Sequence, residues 1–388
     1  MIQQSLERLL ARRCTLLGVG PMSLNCVDVT VELANEYGVP LMLIASRRQI
    51  DSEEFGGGYV NNWTTRRFAD YVLDIDKKGK VILARDHGGP WQNPVEAEKG
   101  YGLRRAMESA KASYRADLDA GFQILHIDPS VDIFGQPSID EVLDRVFELY
   151  EYCYSYARSL KRKVLFEIGT EEQSGSTNRQ EEMSYSLSEI KKFCKRNNMP
   201  PPLFIVVQTG SKVMEARNVG SFDSPVRVAD ELPPEIQVPK MVELCNRYGI
   251  YMKAHNTDYL SDEALQWYPR LGIHSANVAP EFGYAETTAL VRALEENGAE
   301  DLSESFLKIA FESGKWKKWM VEGTSASDRD RAMIAGHYVF AVPEFIALKE
   351  KAEGRLAKKG VDLDRALRDG IKRSILRYMK NFRLVGSE

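Results

Sequence analysis

Eight short apolar runs recur along this chain, and segments with helical periodicity separate them. Most of the runs begin with apolar residues and end with polar ones, which is typical of parallel strands that are buried on both faces. Eight strands joined by crossover helices predict a (β/α)8 barrel, and we expect this barrel to occupy residues 1–300. The predicted strands are CTLLGVGP (14–21), PLMLIAS (40–46), KVILARDH (80–87), FQILHIDPS (122–130), KVLFEIGTE (163–171), LFIVVQTGS (203–211), IYMKAHNTD (250–258) and GIHSANVAP (272–280).

The segments between the predicted strands carry the start and stop signals of helices. Ser138 is followed three residues later by Glu141, which is the spacing of a capping box. Gly38, Gly121 and Gly249 each follow a helical segment, and glycine is the residue favoured just beyond the C-terminus of a helix. These signals place helices between the strands, as a barrel requires.

An open, doubly wound sheet is the main alternative fold. It usually has fewer strands and carries a glycine-rich phosphate loop, G-x-G-x-x-G, directly after its first strand. This chain has only the fragment GVGPMSLN at that place, and Pro21 follows its second glycine. The barrel is therefore the preferred interpretation.

Residues 301–388 are predicted to form a helical extension that packs on the barrel. The region is basic and aromatic, with stretches such as FLKIAFESGKWKKWM. A solvated, charged helix face is the simpler interpretation of its KWKKW stretch, and packing in an oligomer is the functional alternative.

Composition excludes several classes of partner. The formal net charge of −4 gives no electrostatic reason to expect nucleic acid or an anionic membrane. The five cysteines are scattered and contain no C-x-x-C pair, as expected of reduced thiols in a cytoplasmic protein. The segment MIQQSLERLLARR lacks the apolar core of a signal peptide, and no run approaches the ~18–20 apolar residues of a membrane helix. We therefore expect a cytoplasmic protein with no membrane or nucleic-acid partner.

Histidines gather at the predicted strands, whose C-terminal ends carry the active sites of (β/α)8 barrels. Four of the five histidines fall in or at the end of a strand, and imidazole and carboxylate are common ligands of divalent metals. His87 and His255 end their strands inside polar clusters and are the preferred metal ligands. For His126 and His274 a hydrogen-bonded structural role is at least as well supported.

Other strand ends supply groups for proton transfer and for binding an anion. Asp86, Asp128 and Glu171 are the candidate catalytic carboxylates, with the capping of a loop as the alternative role of Asp128. Glu167 is a further polar residue of strand five, with a buried salt bridge as its alternative role. Backbone N–H groups and hydroxyls after strands six and seven would cradle a phosphate, to which basic side chains would add charge. The residues predicted to bind substrate are Arg47, Gly210, Ser211, Lys212, Asn256, Thr257 and Asn277, and Arg48 is a further source of charge.

Five stretches of the chain resemble the segments of a known family, in the same order. ARDHGGP, LHIDPS, EIGTEE, FIVVQTGS and KAHNTDY are similar to segments of the types DH-x-GP, H-x-D-x-S, IGTE, VVQ-x-G and AH-x-TDY. Those segments occur in the accessory, non-catalytic subunits of tagatose-bisphosphate aldolase. The loop FGGGYVNNW and the stretch SASDRDRA resemble further parts of that family. The resemblance covers residues 14–345 and implies a divergent relative.

That family is in turn similar to class II aldolases, which are zinc-dependent (β/α)8 enzymes that cleave ketose phosphates. The similarity implies that Asp86 is the proton-transfer acid/base and that His87 and His255 bind the metal. It also implies that Asn277 contacts the dihydroxyacetone phosphate part of the substrate and that Gly210–Ser211 line the phosphate pocket. Zinc is the first expectation for the metal, with manganese or magnesium as alternatives.

Two departures from the class II aldolases concern the metal and the phosphate. Those enzymes place a third histidine ligand at the end of strand six, where this chain has Gln208 and Thr209. Gln208, or Glu171 from strand five, is the candidate replacement, and Gln208 is included among the predicted metal ligands. Pro280 stands where the aldolases have a phosphate-contacting threonine. The accessory subunits share the first departure.

Three functions agree with these residues. The first is a metal-dependent lyase that cleaves a phosphorylated ketose or related sugar by a retro-aldol reaction through a metal-stabilised enediolate. The second is a non-catalytic subunit that binds and stabilises a class II tagatose-bisphosphate aldolase. The third is a metal-dependent sugar epimerase or isomerase, whose product keeps every carbon of the substrate. Barrels of this family commonly associate, which implies a homo-oligomer.

Overall fold

The chain folds around a closed barrel of eight parallel strands in the computed structural model, which describes residues 6–7, 10–170, 177–224, 226 and 231–386. Each strand is hydrogen-bonded to the barrel strands before and after it in sequence, and the eighth pairs with the first. The predicted (β/α)8 barrel is therefore confirmed. The strands are β1 (Leu16–Val19), β2 (Leu41–Ser46), β3 (Val81–Gly88), β4 (Ile124–Ile127), β5 (Leu165–Ile168), β6 (Phe204–Val207), β7 (Tyr251–Ala254) and β8 (Ser275–Val278).

Helices surround the barrel and form the C-terminal region. Those before residue 300 are α1 (Leu24–Tyr37), α2 (Thr65–Ile75), α3 (Pro94–Glu98), α4 (Leu103–Ala120), α5 (Ile139–Ser159), α6 (Gln180–Arg196), α7 (Pro234–Tyr248), α8 (Asp262–Leu271) and α9 (Pro280–Glu296). The helices that follow are α10 (Glu300–Glu312), α11 (Asp328–Ala335), α12 (Pro343–Ala357) and α13 (Leu363–Asn381). Shorter elements are the 3₁₀ turns Glu53–Phe55, Lys317–Trp319 and Gly336–Val339, and a hairpin of Val213–Met214 with Arg217–Asn218.

The predicted start and stop signals lie at the ends of these helices. At the start of α5 the Ser138 hydroxyl accepts the Glu141 N–H, and the Glu141 carboxylate accepts the Ser138 N–H, which is the reciprocal bonding of a capping box. Helices α1, α4 and α7 end at Gly38, Gly121 and Gly249, whose φ angles of 66°, 92° and 71° lie in the left-handed region that glycine adopts readily. These helix boundaries therefore follow from local sequence.

The C-terminal ends of the strands meet at one mouth of the barrel. Ser46 at the end of β2 is paired with Asp86 in β3, and His126 in β4 is paired with Glu167 in β5. Below this mouth the interior of the barrel is filled by apolar side chains, so the polar residues collect above an apolar layer. That layer includes Leu16, Met42, Ile44, Ile82, Ile124 and Phe204.

The C-terminal extension returns to the barrel. Its last helix, α13, packs against α1 and α9, and its Ile371 and Ile375 are fully buried in the core that surrounds the strands. After α13 the Phe382 carbonyl accepts the N–H of Thr15, directly before β1, at 3.0 Å. Helices α10–α12 enclose a second apolar cluster that contains Phe306. The extension thus contributes both to the barrel and to a separate core.

Residues 315–341, which we call the cap, span the barrel mouth. On one side the N–H of Glu215, in the hairpin after β6, donates to the Trp319 carbonyl at 2.9 Å. On the other side the side chain of Asn62, in the loop after β2, donates to the Ala341 carbonyl at 3.2 Å. β2 and β6 lie opposite each other in the ring of eight strands, so the cap reaches across the mouth.

Among the described residues, no single helix is long and apolar enough to cross a membrane. Asp328–Val339 and Pro343–Ala357, which meet at 98°, satisfy that requirement for length and composition only when they are counted together.

Candidate metal centre

An irregularity in β3 brings two neighbouring side chains into the same site. Successive residues of a regular strand face opposite sides, so Asp86 and His87 should not both face the barrel interior. The pairing of β3 with β4 shifts its register between Arg85 and Gly88, and His87 has a φ of 43°. This bulge turns His87 inward, so that both residues lie beside the same two histidines.

Three histidines from different strands form a triangle at the mouth. His87 of β3, His126 of β4 and His255, which follows β7, have ring centroids 5.0–5.2 Å apart. One ring nitrogen of each lies within 4.8 Å of the others, close enough to share a metal ion. The side chain of His87 is 36% exposed while those of His126 and His255 are buried, so the triangle opens to solvent at His87.

Two carboxylates complete this group. Asp86 Oδ1 lies 3.7 Å from His126 Nδ1 and 4.0 Å from His255 Nε2. Glu167 Oε1, from β5, lies 3.7 Å from His126 Nδ1 and 2.9 Å from His255 Nε2. We call His87, His126, His255, Asp86 and Glu167 the mouth cluster. Three imidazoles and two carboxylates are a donor set suited to a divalent transition metal such as zinc.

Two buried polar atoms next to this space lack a hydrogen-bond partner among the described residues. They are His126 Nε2 and Asn277 Oδ1. A Cβ at position 169 would lie 2.6 Å from His126 Nε2, and a Cβ at position 18 would overlap Asn277 Oδ1, so Gly169 and Gly18 leave room for these side chains. Buried polar atoms are nearly always satisfied in folded proteins. The unpartnered atoms and the donor set therefore fit a centre that binds a metal ion and a polar ligand.

Glu167 is held from two sides. Its Oε2 accepts from Lys253 Nζ at 2.5 Å, and its Oε1 lies 2.9 Å from His255 Nε2. Burial would raise the pKa of Glu167, but the charges of Lys253 and His126 and the hydrogen bond of His255 lower it to about 2. Glu167 is thus a buried salt-bridge partner, which was the alternative role that its position in the sequence allowed, and its other carboxylate oxygen contacts the ring of His255.

Asp86 is a carboxylate within reach of an amide donor. Asn277 of β8 donates to Asp86 Oδ1 at 3.0 Å, and the same Asn277 nitrogen lies 3.1 Å from His255 Nε2. Burial opposes a charge on Asp86, but the charges of His87, His255 and His126 hold the pKa of Asp86 well below its usual range. Asp86 is therefore ionised at neutral pH, which is the state in which a carboxylate can act as a base.

Asp128 orients the ring of His87. Asp128 Oδ2 lies 2.6 Å from His87 Nδ1, and the Ser130 hydroxyl donates to the other carboxylate oxygen at 2.5 Å. Burial would lower the pKa of His87, but the charge of Asp86 and the hydrogen bond of Asp128 raise it to about 9. A metal ion at this position would have to displace the proton of His87.

Burial lowers the pKa of His255 to about 4, which leaves that ring neutral and able to bind metal.

The predicted phosphate residues lie in two loops that bond to each other. The Ser211 hydroxyl donates to the His255 carbonyl at 2.7 Å, and Thr257 is fully buried. Asn218 of the hairpin donates to the Asn256 carbonyl at 2.9 Å and accepts the Lys212 N–H at 3.1 Å. The turn at Gly210, with a φ of 83°, also belongs to this region. The structure thus places these residues next to His255, where Ser211 and Asn218 link the two loops.

Arg47 is not brought into the mouth cluster. Its guanidinium pairs with Asp51 at 2.9 Å and with Glu96 at 2.6 Å, and it also donates to the Gly89 carbonyl and the Ser109 hydroxyl. The residue is 1% exposed. Two carboxylates already balance its charge, so Arg47 stabilises the loops after β2 and β3 in place of the predicted contact with substrate.

Only one of the two candidates for a third metal ligand lies among the described residues. Glu171 lies outside the described residues. Gln208 follows β6, and its backbone N–H and carbonyl both bond to Asn178. The third corner of the histidine triangle is occupied by His126 of β4, for which the sequence favoured a structural role.

His126, Glu167 and Lys253 were not assigned to the site from the sequence. His126 and Asp128 are two positions apart, as are Lys253 and His255, so the period of a strand places each pair on one face. The sequence alone therefore indicated that His126 faces the same side as Asp128 and that Lys253 faces the same side as His255. The position of Glu167 also requires the register of β5 against β4, which local sequence does not give.

Comparison with known proteins gives matches among solved structures only, since no protein-family model and no curated protein matches the chain. A probable tagatose 6 phosphate kinase from Sinorhizobium meliloti 1021 is 18% identical with a TM-score of 0.75, over 95% of this chain and 100% of that one. Fructose-bisphosphate aldolase from Campylobacter jejuni is 12% identical with a TM-score of 0.58, over 100% of this chain and 95% of that one. Fructuronate-tagaturonate epimerase UxaE from Cohnella laeviribosi is 13% identical with a TM-score of 0.56, over 95% and 81%. These likenesses show that the chain shares the (β/α)8 barrel fold of these proteins.

Proposed function

We propose that this protein is a metal-dependent lyase that cleaves a carbon–carbon bond of a phosphorylated ketose or related sugar. The observation that carries the proposal is the mouth cluster, in which three imidazoles and two carboxylates meet at the end of the barrel where such folds place their chemistry. The structures that share the fold are named as an aldolase, a sugar-acid epimerase and a probable sugar-phosphate kinase, which supports a sugar as the substrate.

The residues that would hold the metal are His87, His126 and His255, with Asp86 and Glu167 beside them. Imidazole nitrogens suit zinc, which is the first expectation for the ion. When bound, a divalent ion would supply Lewis acidity, which polarises the carbonyl group of a sugar.

Asp86 is the group that moves the proton in this proposal. In a retro-aldol cleavage a base removes the proton of the hydroxyl group at the carbon β to the carbonyl. The electron pair of that O–H bond forms the new aldehyde, and the pair of the breaking carbon–carbon bond moves toward the original carbonyl. Asp86 takes the first proton and returns it to carbon in the other fragment, so the reaction needs no further reactant. Asn277, which donates to Asp86 Oδ1, keeps the carboxylate in place.

Two further carboxylates have positioning roles. Asp128 fixes the ring of His87 through Nδ1, and Glu167 fixes the ring of His255 while Lys253 balances its charge. Carboxylates that orient metal-binding histidines typically matter almost as much as the ligands themselves.

Metal analysis combined with a substrate panel tests the proposal. The full-length protein should contain about one divalent ion per chain and cleave at least one ketose phosphate into two smaller carbonyl compounds. His87→Ala should lose both the ion and the cleavage. His274→Ala is the matched control, because the His274 ring lies outside the mouth cluster and accepts the Met252 N–H at 3.1 Å. Unchanged metal content and activity in His87→Ala would rule out the site.

The products separate the lyase from its alternatives. An epimerase or isomerase would return a single sugar with every carbon retained. A protein that turns over no sugar, and instead raises the thermal stability of a class II tagatose-bisphosphate aldolase, would be the non-catalytic subunit. Either result would replace the lyase assignment.

A further inference from the structure

A basic and aromatic group lies where the cap meets the loop after β2. The Lys318 ammonium is 4.5 Å from the ring centroid of Trp319 and 5.4 Å from that of Tyr338. The indole N–H of Trp319 donates to the Tyr338 hydroxyl at 3.1 Å, which fixes the two rings relative to each other. Lys318 is therefore held at the cap by two aromatic faces.

Arg48 joins this group from the barrel side. Its carbonyl accepts the N–H of Tyr59 at 3.2 Å, and the ring of Tyr59 lies 4.8 Å from that of Tyr338. Desolvation lowers the pKa of Lys318 to about 7, and the positive charges of Arg48 and Lys315 act in the same direction. Lys318 thus lies close enough to Arg48 and to Lys315 for their positive charges to act on it.

No carboxylate balances these charges in the part of the chain that the structure describes. Other basic side chains of this protein, such as Arg47, Arg85 and Lys253, form ion pairs with Asp or Glu. Arg48, Lys315 and Lys318 form none with the described acidic residues. Like charges gathered without a counter-charge are the arrangement of an anion-binding site.

The group lies at the same mouth as the metal centre. Arg48 comes two residues after Ser46, and Ser46 is the register partner of Asp86. Lys318 belongs to the cap, which spans that mouth from the hairpin after β6 to the loop after β2. Arg48 and Lys318 therefore belong to segments that border the opening in which the mouth cluster lies.

We propose that Arg48 and Lys318 form the anion subsite of the sugar site and bind the phosphate or carboxylate group of a sugar whose carbonyl lies at the mouth cluster. The inference rests on the proposed function for the position of the carbonyl, and it makes an anionic sugar the substrate class. It also moves anion recognition away from Ser211, whose hydroxyl already donates to the His255 carbonyl.

Calorimetric titration of the full-length protein tests the inference without turnover. The probes are inorganic phosphate, fructose 6-phosphate, fructuronate and neutral fructose. The wild type should bind both anionic sugars at least about tenfold more tightly than fructose, as expected of a charge-assisted contact. Lys318→Met and Arg48→Met should each remove most of this preference and weaken the binding of inorganic phosphate, while fructose binding stays unchanged.

Two variants serve as matched controls. Lys317→Met removes the same charge from the neighbouring residue, whose side chain lies against Gly314, and should leave all four affinities unchanged. Lys318→Arg keeps the charge and should retain the preference for anions. The sugar that binds more tightly, fructose 6-phosphate or fructuronate, identifies phosphate or carboxylate as the group that the subsite takes.

The outcomes distinguish this inference from the proposed function. Equal affinity for fructose and both anionic sugars, or no change in Lys318→Met and Arg48→Met, overturns the anion subsite even if the protein is a lyase. Phosphate binding that Lys318→Met abolishes supports the subsite, even in a protein that cleaves no sugar.

Discussion

Two groups of buried charges lie beside β2 and β3, and they differ in whether their hydrogen bonds are complete. Between the strands and α4, Arg85 forms two bonds to Asp117 at 2.8 and 2.5 Å and donates to two backbone carbonyls. Arg47 is likewise enclosed by acceptors. In the mouth cluster, by contrast, His126 Nε2 and the neighbouring Asn277 Oδ1 are buried without a partner among the described residues.

On the proposed function, this difference separates buried charges that hold the fold together from buried polar atoms that a ligand would satisfy. A complete buried ion pair stabilises the fold only while both partners remain, since removal of one partner leaves a charge that water cannot solvate. An incomplete polar group costs stability until something binds to it, and such groups are typical of functional sites. Variants of the two groups should therefore affect different properties of the protein.

The largest effect is expected from His126→Ala. The variant removes one corner of the histidine triangle, so metal content should fall to background and kcat/KM by about 10³-fold or more. Its free energy of unfolding should fall by about 1–3 kcal/mol, because the ring is buried and its Nδ1 accepts the His87 N–H at 3.1 Å, so metal content is compared on folded protein. Elemental analysis and steady-state kinetics measure the two quantities. A fully metallated variant would show that β4 supplies no ligand.

Arg47→Met should act on stability. It leaves Asp51 and Glu96 buried without their cation, which is expected to cost about 3–5 kcal/mol in the free energy of unfolding. Metal content and activity per folded molecule should not change. Arg66→Met, which breaks an exposed pair with Asp70 at 2.9 Å, is the control and should cost about 0.5 kcal/mol or less. Denaturant titrations of both variants measure these free energies of unfolding. A loss of metal from folded Arg47→Met would contradict the separation between residues that stabilise the fold and residues that bind the ligand.

Glu286 is an intermediate case, because it has hydrogen-bond donors but no ion pair with a basic side chain among the described residues. Ser23 and Asn25 donate to its carboxyl group, yet burial raises the pKa of Glu286 from 4.5 to about 7. A carboxyl group with a raised folded pKa contributes stability that is complete below pH 4.5 and lost as the pH rises through about 7.

Glu286→Gln removes this titration. Relative to the wild type, the variant should gain about 3–4 kcal/mol in unfolding free energy between pH ~4.5 and ~8, because the pKa rises from 4.5 to about 7 and each pKa unit corresponds to about 1.4 kcal/mol. Denaturant titrations of both proteins across that range provide the measurement. A difference that does not depend on pH would mean that Glu286 ionises normally in the folded protein.

Glu167→Gln should have the smallest effect on metal binding, since the amide keeps the size of the side chain and one acceptor for His255. It also leaves the buried Lys253 ammonium without its counter-charge, so the free energy of unfolding should fall as well. Metal affinity is expected to fall about 10–100-fold, as is typical when a group that orients a ligand is altered. Chelator competition measures this affinity. Glu141→Gln, in the capping box of α5, is the remote control and should bind metal as the wild type does. Wild-type affinity in Glu167→Gln would assign Glu167 a purely structural role.

The barrel and part of its site could be predicted from the sequence because both depend on local patterns. Apolar runs with polar ends located the strands, and the positions of Asp86, His87 and His255 followed from where those runs stop. The partners of Arg47 could not be found in this way. Asp51 and Glu96 lie in different loops, and nothing local shows that they meet around one guanidinium.

The third histidine illustrates the same limit. Resemblance pointed to the end of β6, while the ring that completes the triangle comes from β4. Chain position alone does not tell which of several strand-end histidines converge, because convergence depends on the stagger of all eight strands. The inward turn of His87 depends on a register shift that has no sequence signal of its own.

That register shift determines how much the segment around Asp86 and His87 can be altered in length. In a regular strand, loss of one residue turns every later side chain to the opposite face. Here the extra residue of the bulge is the one that points His87 inward, so a single deletion or insertion between Arg85 and Gly88 would send either Asp86 or His87 outward. Loop redesign of this barrel should therefore leave the length of this segment unchanged, whereas substitutions within it test chemistry without disturbing that geometry.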